Sequence, residues 1–169
     1  MGISDLRLAE ITVVEPQSLN LELLVEQKIR TVASQLLDTP FFVEHTALSI
    51  DAWKGLPGGL THLFMDSVGN EGICKMMYAY KGEDRAARAR LMIGYFHRSS
   101  GIQTFQGEVS GYISPQPRGG NGFGWDSIFI PKGEKLTYGQ MNLKEKNRTS
   151  MRPQAVERFL NYLHHYFEF

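Results

Sequence analysis

An acidic residue and a histidine stand side by side in this chain, a combination that can hold a metal ion or move a proton. Glu44 and His45 follow an apolar run that begins at Phe41, and a Pro57-Gly58-Gly59 turn closes the same unit. Carboxylate oxygens are ligands that Mg²⁺ prefers, and an imidazole with an ordinary pKa near ~6.5 can act as a general base. The pattern predicts a strand that delivers both side chains to a site at its end.

A second segment combines glycines with aromatic residues. Between Arg118 and Asp126 the chain carries four glycines together with Phe123 and Trp125. Glycines let the backbone approach a ligand, aromatic rings offer stacking faces, and a carboxylate accepts hydrogen bonds from a base. This composition suits a nucleobase pocket, although a glycine-rich hairpin with packed aromatics fits it as well. It is not a Walker loop, because no Gly-Lys-Ser/Thr follows.

Basic residues then cluster towards the C-terminus. They are Lys144, Lys146, Arg148 and Arg152. Their charges could neutralise phosphates, or they could belong to an exposed basic loop.

Two further positions are candidates for ligand binding. Glu10, at the expected end of a first strand, could join Glu44 in holding Mg²⁺. Lys28 falls on the apolar stripe of an expected helix, so its ammonium either reaches the rim of that stripe or points at a ligand.

The remaining histidines and the single cysteine show no metal-binding spacing. His164 and His165 are adjacent and are expected at a helix surface, and neither His62 nor His97 has a local partner. Cys74 is expected to be a small buried hydrophobe in a helix. One unpaired cysteine favours a reduced, cytoplasmic setting.

The elements that must position these residues alternate between helices and strands. Helices are predicted at 19–37, 60–68, 71–80 and from Pro153 onwards, where proline suits a first turn. Strands are predicted at 8–14, 41–43, 87–97, 103–113 and 127–130, with a polar loop from 131 to 152. The chain is therefore predicted to be one α/β domain spanning residues 1–169.

Composition narrows the function classes. The chain is 42% hydrophobic and 21% charged, which is typical of globular proteins, and it lacks a long apolar run or a signal peptide, so a membrane span is not expected. Its net charge is zero, without the basic excess of a nucleic-acid-polymer binder. Residues 1–84 hold 6 basic against 12 acidic residues, and residues 85–169 hold 12 against 6. This asymmetry suits a site that holds a metal ion and a small polyanion, or it reflects charges distributed at random over a solvated surface.

Taken together, the motifs resemble the inosine triphosphate pyrophosphatase (Ham1-like) family. The matching segments, in chain order from about residue 8, are 44–48, 55–58, 117–119, 122–126, Thr137-Tyr138, Met141, Glu145-Lys146-Asn147, Ser150 and Arg152.

The resemblance implies a nucleoside triphosphate pyrophosphatase that cleaves inosine, deoxyinosine and xanthosine triphosphates to monophosphate and pyrophosphate with Mg²⁺. It also implies an elongated mixed β-sheet flanked by helices, usually in a homodimer. Glu10 and Glu44 would bind metal, and Lys28 and Lys146 would hold phosphates. Phe123, Trp125, Asp126 and Arg152 would form the base pocket, and Ser150 would also bind the substrate.

Three departures from the family pattern qualify this expectation. The family's opening strand and its Ser/Thr-Gly-Asn…Lys phosphate loop have no counterpart, so the chain is expected to be N-terminally truncated. His45 stands where the family has an aspartate that ligates metal or activates water. Met151 replaces a histidine near the base.

Three hypotheses follow for the function. The first is a divergent pyrophosphatase of reduced or altered activity on a purine nucleotide, with His45, Glu44 and Lys28 as catalytic residues. The second is an inactive module of the same fold that binds a nucleotide or a partner. The third is a dimer scaffold with a sheet edge open to another chain.

Overall fold

The computed structural model describes residues 6–36 and 39–167 and contains helices, strands and four short 3₁₀ turns. The helices are α1 (Leu21–Leu36), α2 (Thr61–Ser67), α3 (Gly69–Met76), α4 (Leu143–Thr149) and α5 (Met151–Phe167). The strands are β1 (Phe41–Ile50), β2 (Pro57–Gly58), β3 (Ala86–His97), β4 (Gly101–Ile113) and β5 (Phe129–Pro131). The α/β class and most predicted elements are confirmed.

The strands form one sheet in the order β2-β1-β3-β4-β5. All four pairings are antiparallel, so the described sheet is not mixed as expected. β4 and β5 each pair with the strand that precedes them in the chain, and β1 and β3, which β2 separates in sequence, also run in opposite directions. β1 pairs along its whole length with β3 but touches β2 only at Leu48 and Ser49. Within the described residues, the first half of β1 therefore forms a free edge of the sheet.

Helices cover both faces of the sheet. On one face α5 and α3 pack on Leu91, Ile93 and a larger buried cluster, while on the other face α1 packs through Val25 and Ile29. Side chains alternate between faces along a strand, so neighbouring residues of β1 meet different helices. α5 approaches β4 closely at Gly107, where an added Cβ would lie 1.9 Å from the Met151 carbonyl oxygen.

Three predictions about the chain are wrong. Residues 8–14 are not a strand: they are irregular, and Leu8 is 92% exposed, because no described strand lies beside them to satisfy their backbone. β1 does not end at Val43, so Glu44 and His45 lie inside a strand and not at its end. The segment 131–152 is not only a loop, since it contains α4, which Asn142 caps by accepting from the Glu145 N–H.

No helix among residues 6–36 and 39–167 has the length and hydropathy to cross a membrane. Cys74 is buried and His164 and His165 are exposed, as predicted.

Candidate functional site

A cavity of about 360 Å³ opens beside the free edge of β1. Its walls come from the segment before α1, from α1 and β1, from α2, and from residues 123–125. The Thr61 hydroxyl holds α2 in place: it accepts from the Leu48 N–H at 2.9 Å and donates to the Gly58 carbonyl at 2.5 Å. Because Thr61 is the first residue of α2, these bonds fix the distance between that helix and β1.

One side of the cavity carries a cluster of Glu15, Lys28 and His45. The Lys28 ammonium lies 2.6 Å from Glu15 Oε1 and 3.4 Å from the Glu44 carbonyl oxygen, and His45 Nδ1 lies 3.7 Å from Glu15 Oε2. Burial of His45, helped by Lys28, lowers its pKa, against the opposing effects of Glu15 and of a hydrogen bond to the Gly59 backbone. His45 is therefore a neutral imidazole at neutral pH and can accept a proton.

Glu44 belongs to the opposite face of the sheet. Its carboxylate accepts from Arg152 Nη1 at 2.7 Å and 2.5 Å, which links β1 to the first turn of α5. Glu44 and His45 are adjacent in a strand and so point to opposite faces, and both reach the cavity because it lies at the strand's free edge.

Asp126 is the centre of a second charged cluster. Its Oδ2 accepts from the Phe123 N–H at 2.7 Å and from the Lys146 ammonium at 2.5 Å, and only 4% of its side chain is exposed. The ammonium also lies 4.7 Å from the centre of the Phe123 ring. Gly122 has a φ of 80°, and a Cβ there would lie 1.9 Å from Asp126 Oδ2, so this position requires glycine. The glycine-rich segment is thus an ordered loop that orients a carboxylate.

The aromatic residues of this loop have different environments. Phe123 is 61% exposed at the cavity mouth and is free to stack on a planar ligand. Trp125 is buried and packs edge-on against Phe129 at a centroid distance of 5.5 Å, so most of its surface supports the core. Ser150 is buried at the junction of α4 and α5 and does not line the cavity.

The predicted metal ligands are only partly brought together. Glu10 lies in the irregular segment, is exposed and does not line the cavity, whereas Glu44 does. No group of three or more His, Cys, Asp or Glu side chains with metal-binding geometry occurs in the described part of the chain. Mg²⁺ is commonly held by one or two carboxylates together with substrate phosphates, and Glu15 and Glu44 supply two such carboxylates. The donor chemistry fits Mg²⁺ with Glu15 in place of Glu10.

Sequence reasoning missed three ionisable residues that line the cavity. They are Glu15, His62 and Asp66. His62 Nδ1 lies 3.2 Å from Asp66 Oδ2, one helical turn away on α2. The spacing of four between His62 and Asp66 was a visible signal. Glu15 carried none, because only the path of the chain into α1 brings it to Lys28.

All residues of the cavity and of its charged clusters lie in the part of the chain that matches a family model. The family model that matches, described as the Ham1 family, covers residues 2–162. The chain belongs to the Ham1 family.

Curated relatives align over most of their length. A "dITP/XTP pyrophosphatase" of Methanopyrus kandleri is 39% identical over 86% of this chain and 76% of its own. One of the same name from Thermococcus kodakarensis is 36% identical over 91% and 81%, and an "Inosine triphosphate pyrophosphatase" of Yarrowia lipolytica is 40% identical over 78% and 69%. The family resemblance predicted from the motifs is confirmed.

Solved structures support the fold. The Staphylococcus aureus Ham1 protein superposes with a TM-score of 0.80 at 24% identity, covering 91% of this chain and 81% of its own. A Coxiella burnetii HAM1 protein gives a TM-score of 0.72 at 26% identity, covering 82% and 75%.

Proposed function

We propose that this protein hydrolyses nucleoside triphosphates with non-standard purine bases, of the inosine, deoxyinosine or xanthosine type, to a monophosphate and pyrophosphate. The names of relatives at 36–40% identity support this class of reaction. The observation that carries the proposal is a cavity lined by Lys28, Glu44 and Phe123, which combines a cation for phosphate, a carboxylate and an exposed aromatic face.

In this proposal the base binds at the loop of Asp126. The ring would stack on exposed Phe123, and Asp126, fixed by the Phe123 N–H and by Lys146, would accept a hydrogen bond from an N–H of the base. An oxopurine such as hypoxanthine carries an N1–H that can donate this bond, whereas adenine has an unprotonated N1. Adenine would place the lone pair of its N1 against the Asp126 carboxylate, and this repulsion between two acceptors discriminates against it. Trp125 and Ser150 would support the loop from the core.

The triphosphate would then extend towards β1. Lys28 would neutralise phosphate oxygens at the wall of the cavity, and Lys146 and Arg152 would add positive charge nearer the base. A Mg²⁺ ion, when held by Glu15 and Glu44, would neutralise charge that builds up on the phosphates.

His45 is the proposed proton acceptor. Its lowered pKa keeps the ring neutral, so it can take a proton from a water molecule that cleaves the bond between the α and β phosphates. The water oxygen forms the new bond to phosphorus, the bridging oxygen leaves with pyrophosphate, and His45 holds the released proton. An imidazole contributes no negative charge towards a metal ion, so we propose a rate below that expected with a carboxylate at this position.

Pyrophosphate release from purified protein tests the proposal. Inosine, deoxyinosine and xanthosine triphosphates with Mg²⁺ or Mn²⁺ should yield pyrophosphate, and adenosine triphosphate, whose base lacks the N1–H donor, should react much more slowly. His45→Asn should reduce kcat by roughly a hundredfold or more. Glu157→Gln, on the exposed side of α5, is the matched control and should keep the full rate. Absence of pyrophosphate across this panel would reject the hydrolase.

A second candidate is a module that binds a purine nucleotide or a partner without cleaving it. The observation in its favour is that the carboxylates Glu15, Glu44 and Asp126 are each already neutralised by a cation. Calorimetric binding of inosine triphosphate together with no turnover would support this module, and no heat with any nucleotide would exclude its nucleotide-binding form.

A further inference from the structure

We infer that nucleotide and metal are taken up together, because two ion pairs restrain Lys28, which lines the cavity, and Arg152, which pairs with the cavity residue Glu44, until a metal ion takes over their carboxylates. This inference rests on the proposed function and concerns the residues Glu15, Lys28, Glu44 and Arg152. It predicts an unusual result: removing the charge of one acidic residue strengthens metal-free binding of an anion.

The charges at the site cancel in pairs. The Nζ of Lys28 lies 2.6 Å from Glu15, the Nη1 of Arg152 lies 2.5 Å from Glu44, and the Nζ of Lys146 lies 2.5 Å from Asp126. These three cations and three carboxylates leave the site with no excess positive charge for a triphosphate. An incoming phosphate must therefore compete with a carboxylate for each cation.

The three pairs are not equivalent. Asp126 is 4% exposed and also accepts from the Phe123 N–H, so its pair is fixed within the loop. The side chains of Glu15 and Glu44 are 32% and 29% exposed and face the cavity, so they can turn towards a ligand. The replacement of a carboxylate by a phosphate is therefore confined to two ion pairs, those of Lys28 and Arg152.

A second anchor keeps Lys28 in place during the exchange. Its ammonium lies 3.4 Å from the Glu44 carbonyl oxygen, a bond that does not depend on Glu15. When a phosphate replaces Glu15, the ammonium stays at the cavity wall, and the released carboxylate then faces phosphate oxygens of the same charge. That repulsion opposes binding of the nucleotide alone. A divalent cation between carboxylate and phosphate removes the repulsion, so each ligand strengthens the binding of the other.

The test is calorimetry with an inosine triphosphate analogue that has a nitrogen bridge between its α and β phosphates and is not cleaved. Binding is measured in EDTA and again with Mg²⁺, for the wild type and for Glu15→Gln. We expect the wild type to bind weakly in EDTA and far more tightly with Mg²⁺. In EDTA, Glu15→Gln should bind about two- to fivefold more tightly than the wild type, which is the gain from freeing a mostly buried lysine. The further increase in affinity when Mg²⁺ is added should be smaller for Glu15→Gln than for the wild type.

Asp66→Asn is the matched control for charge. It removes one negative charge from the same cavity, but the partner of Asp66 is His62, so no lysine is released. In EDTA, Asp66→Asn should increase the affinity for the analogue markedly less than Glu15→Gln does. Glu44→Gln repeats the test at the pair with Arg152. Metal-free binding by Glu15→Gln that is no tighter than for the wild type, or than for Asp66→Asn, overturns the inference. A wild type that binds the analogue under neither condition instead refutes the proposed function, so the two failures are distinct.

Discussion

Replacing Lys146 should destabilise the protein because it leaves a buried carboxylate without its cation. Asp126 is 4% exposed, and after Lys146→Met the hydrogen bond that remains to it is the one from the Phe123 N–H. Breaking a fully buried ion pair costs about 3–5 kcal/mol. Since Lys146 itself is 16% exposed, water reaches part of the site, and we expect a loss of about 2–3 kcal/mol in the free energy of unfolding. For a chain of 169 residues this corresponds to a fall in Tm of roughly 5–10 °C.

A double-mutant cycle measures this effect. Urea unfolding at pH 7, followed by circular dichroism without metal or nucleotide, is compared for Lys146→Met, Asp126→Asn and the double variant. The double variant has no buried charge at this site, so its loss should be only about 1 kcal/mol, smaller than that of Lys146→Met alone. Lys144→Met, which removes a neighbouring exposed lysine, should change stability by less than about 0.5 kcal/mol. Single losses that add in the double variant would refute the assignment of the effect to an unpaired Asp126.

Three further predictions concern the loop and the core. Gly122→Ala should lower the free energy of unfolding by about 1–3 kcal/mol, because a Cβ would displace the Asp126 carboxylate. It should also abolish the preference for inosine over adenosine triphosphate. An unchanged Tm would contradict this prediction. Arg85→Met should lower the free energy of unfolding, measured with urea, by about 3–5 kcal/mol. The reason is that buried Arg85 donates to the carbonyls of Ile113, Met77 and Ser114. A loss below about 1 kcal/mol would be inconsistent with that role. Burial raises the pKa of the Cys74 thiol, so Ellman's reagent at pH 8 should react with it at least a hundredfold more slowly in the folded than in the urea-unfolded protein. Because the folded-state pKa of Cys74 is raised, its contribution to stability is fully present below the ordinary thiol pKa and is lost as pH rises through the raised folded-state pKa. Equal reaction rates would exclude a buried thiol.

Residues with strong local signals were predicted correctly. The apolar stripe of α1 and the strand segments of β3 and β4 depend on neighbouring residues, so they can be read from the chain. Lys28 on the apolar stripe of α1 was an ambiguous signal. Its contact with Glu15 shows that it faces the cavity rather than only the rim of the stripe.

Errors occurred where a distant partner decides the structure. Residues 8–14 have the composition of a strand, but a strand needs a neighbour to bond its backbone, and no described segment supplies one. The same applies to Glu10 and Glu15. Both are acidic residues of one irregular segment, and only the packing of α1 against β1 brings Glu15, and not Glu10, to the cavity.

The sequence alone determined the family, the α/β class and the glycine-rich loop at Asp126, because these depend on residue types at fixed spacing along the chain. Only the tertiary structure decided which charges meet. Glu44 and His45 are neighbours in sequence, yet the alternation of a strand sends one to Arg152 on α5 and the other towards Lys28 on α1. Partners such as Glu44 and Arg152 are 108 residues apart, and no local pattern encodes a contact over that separation.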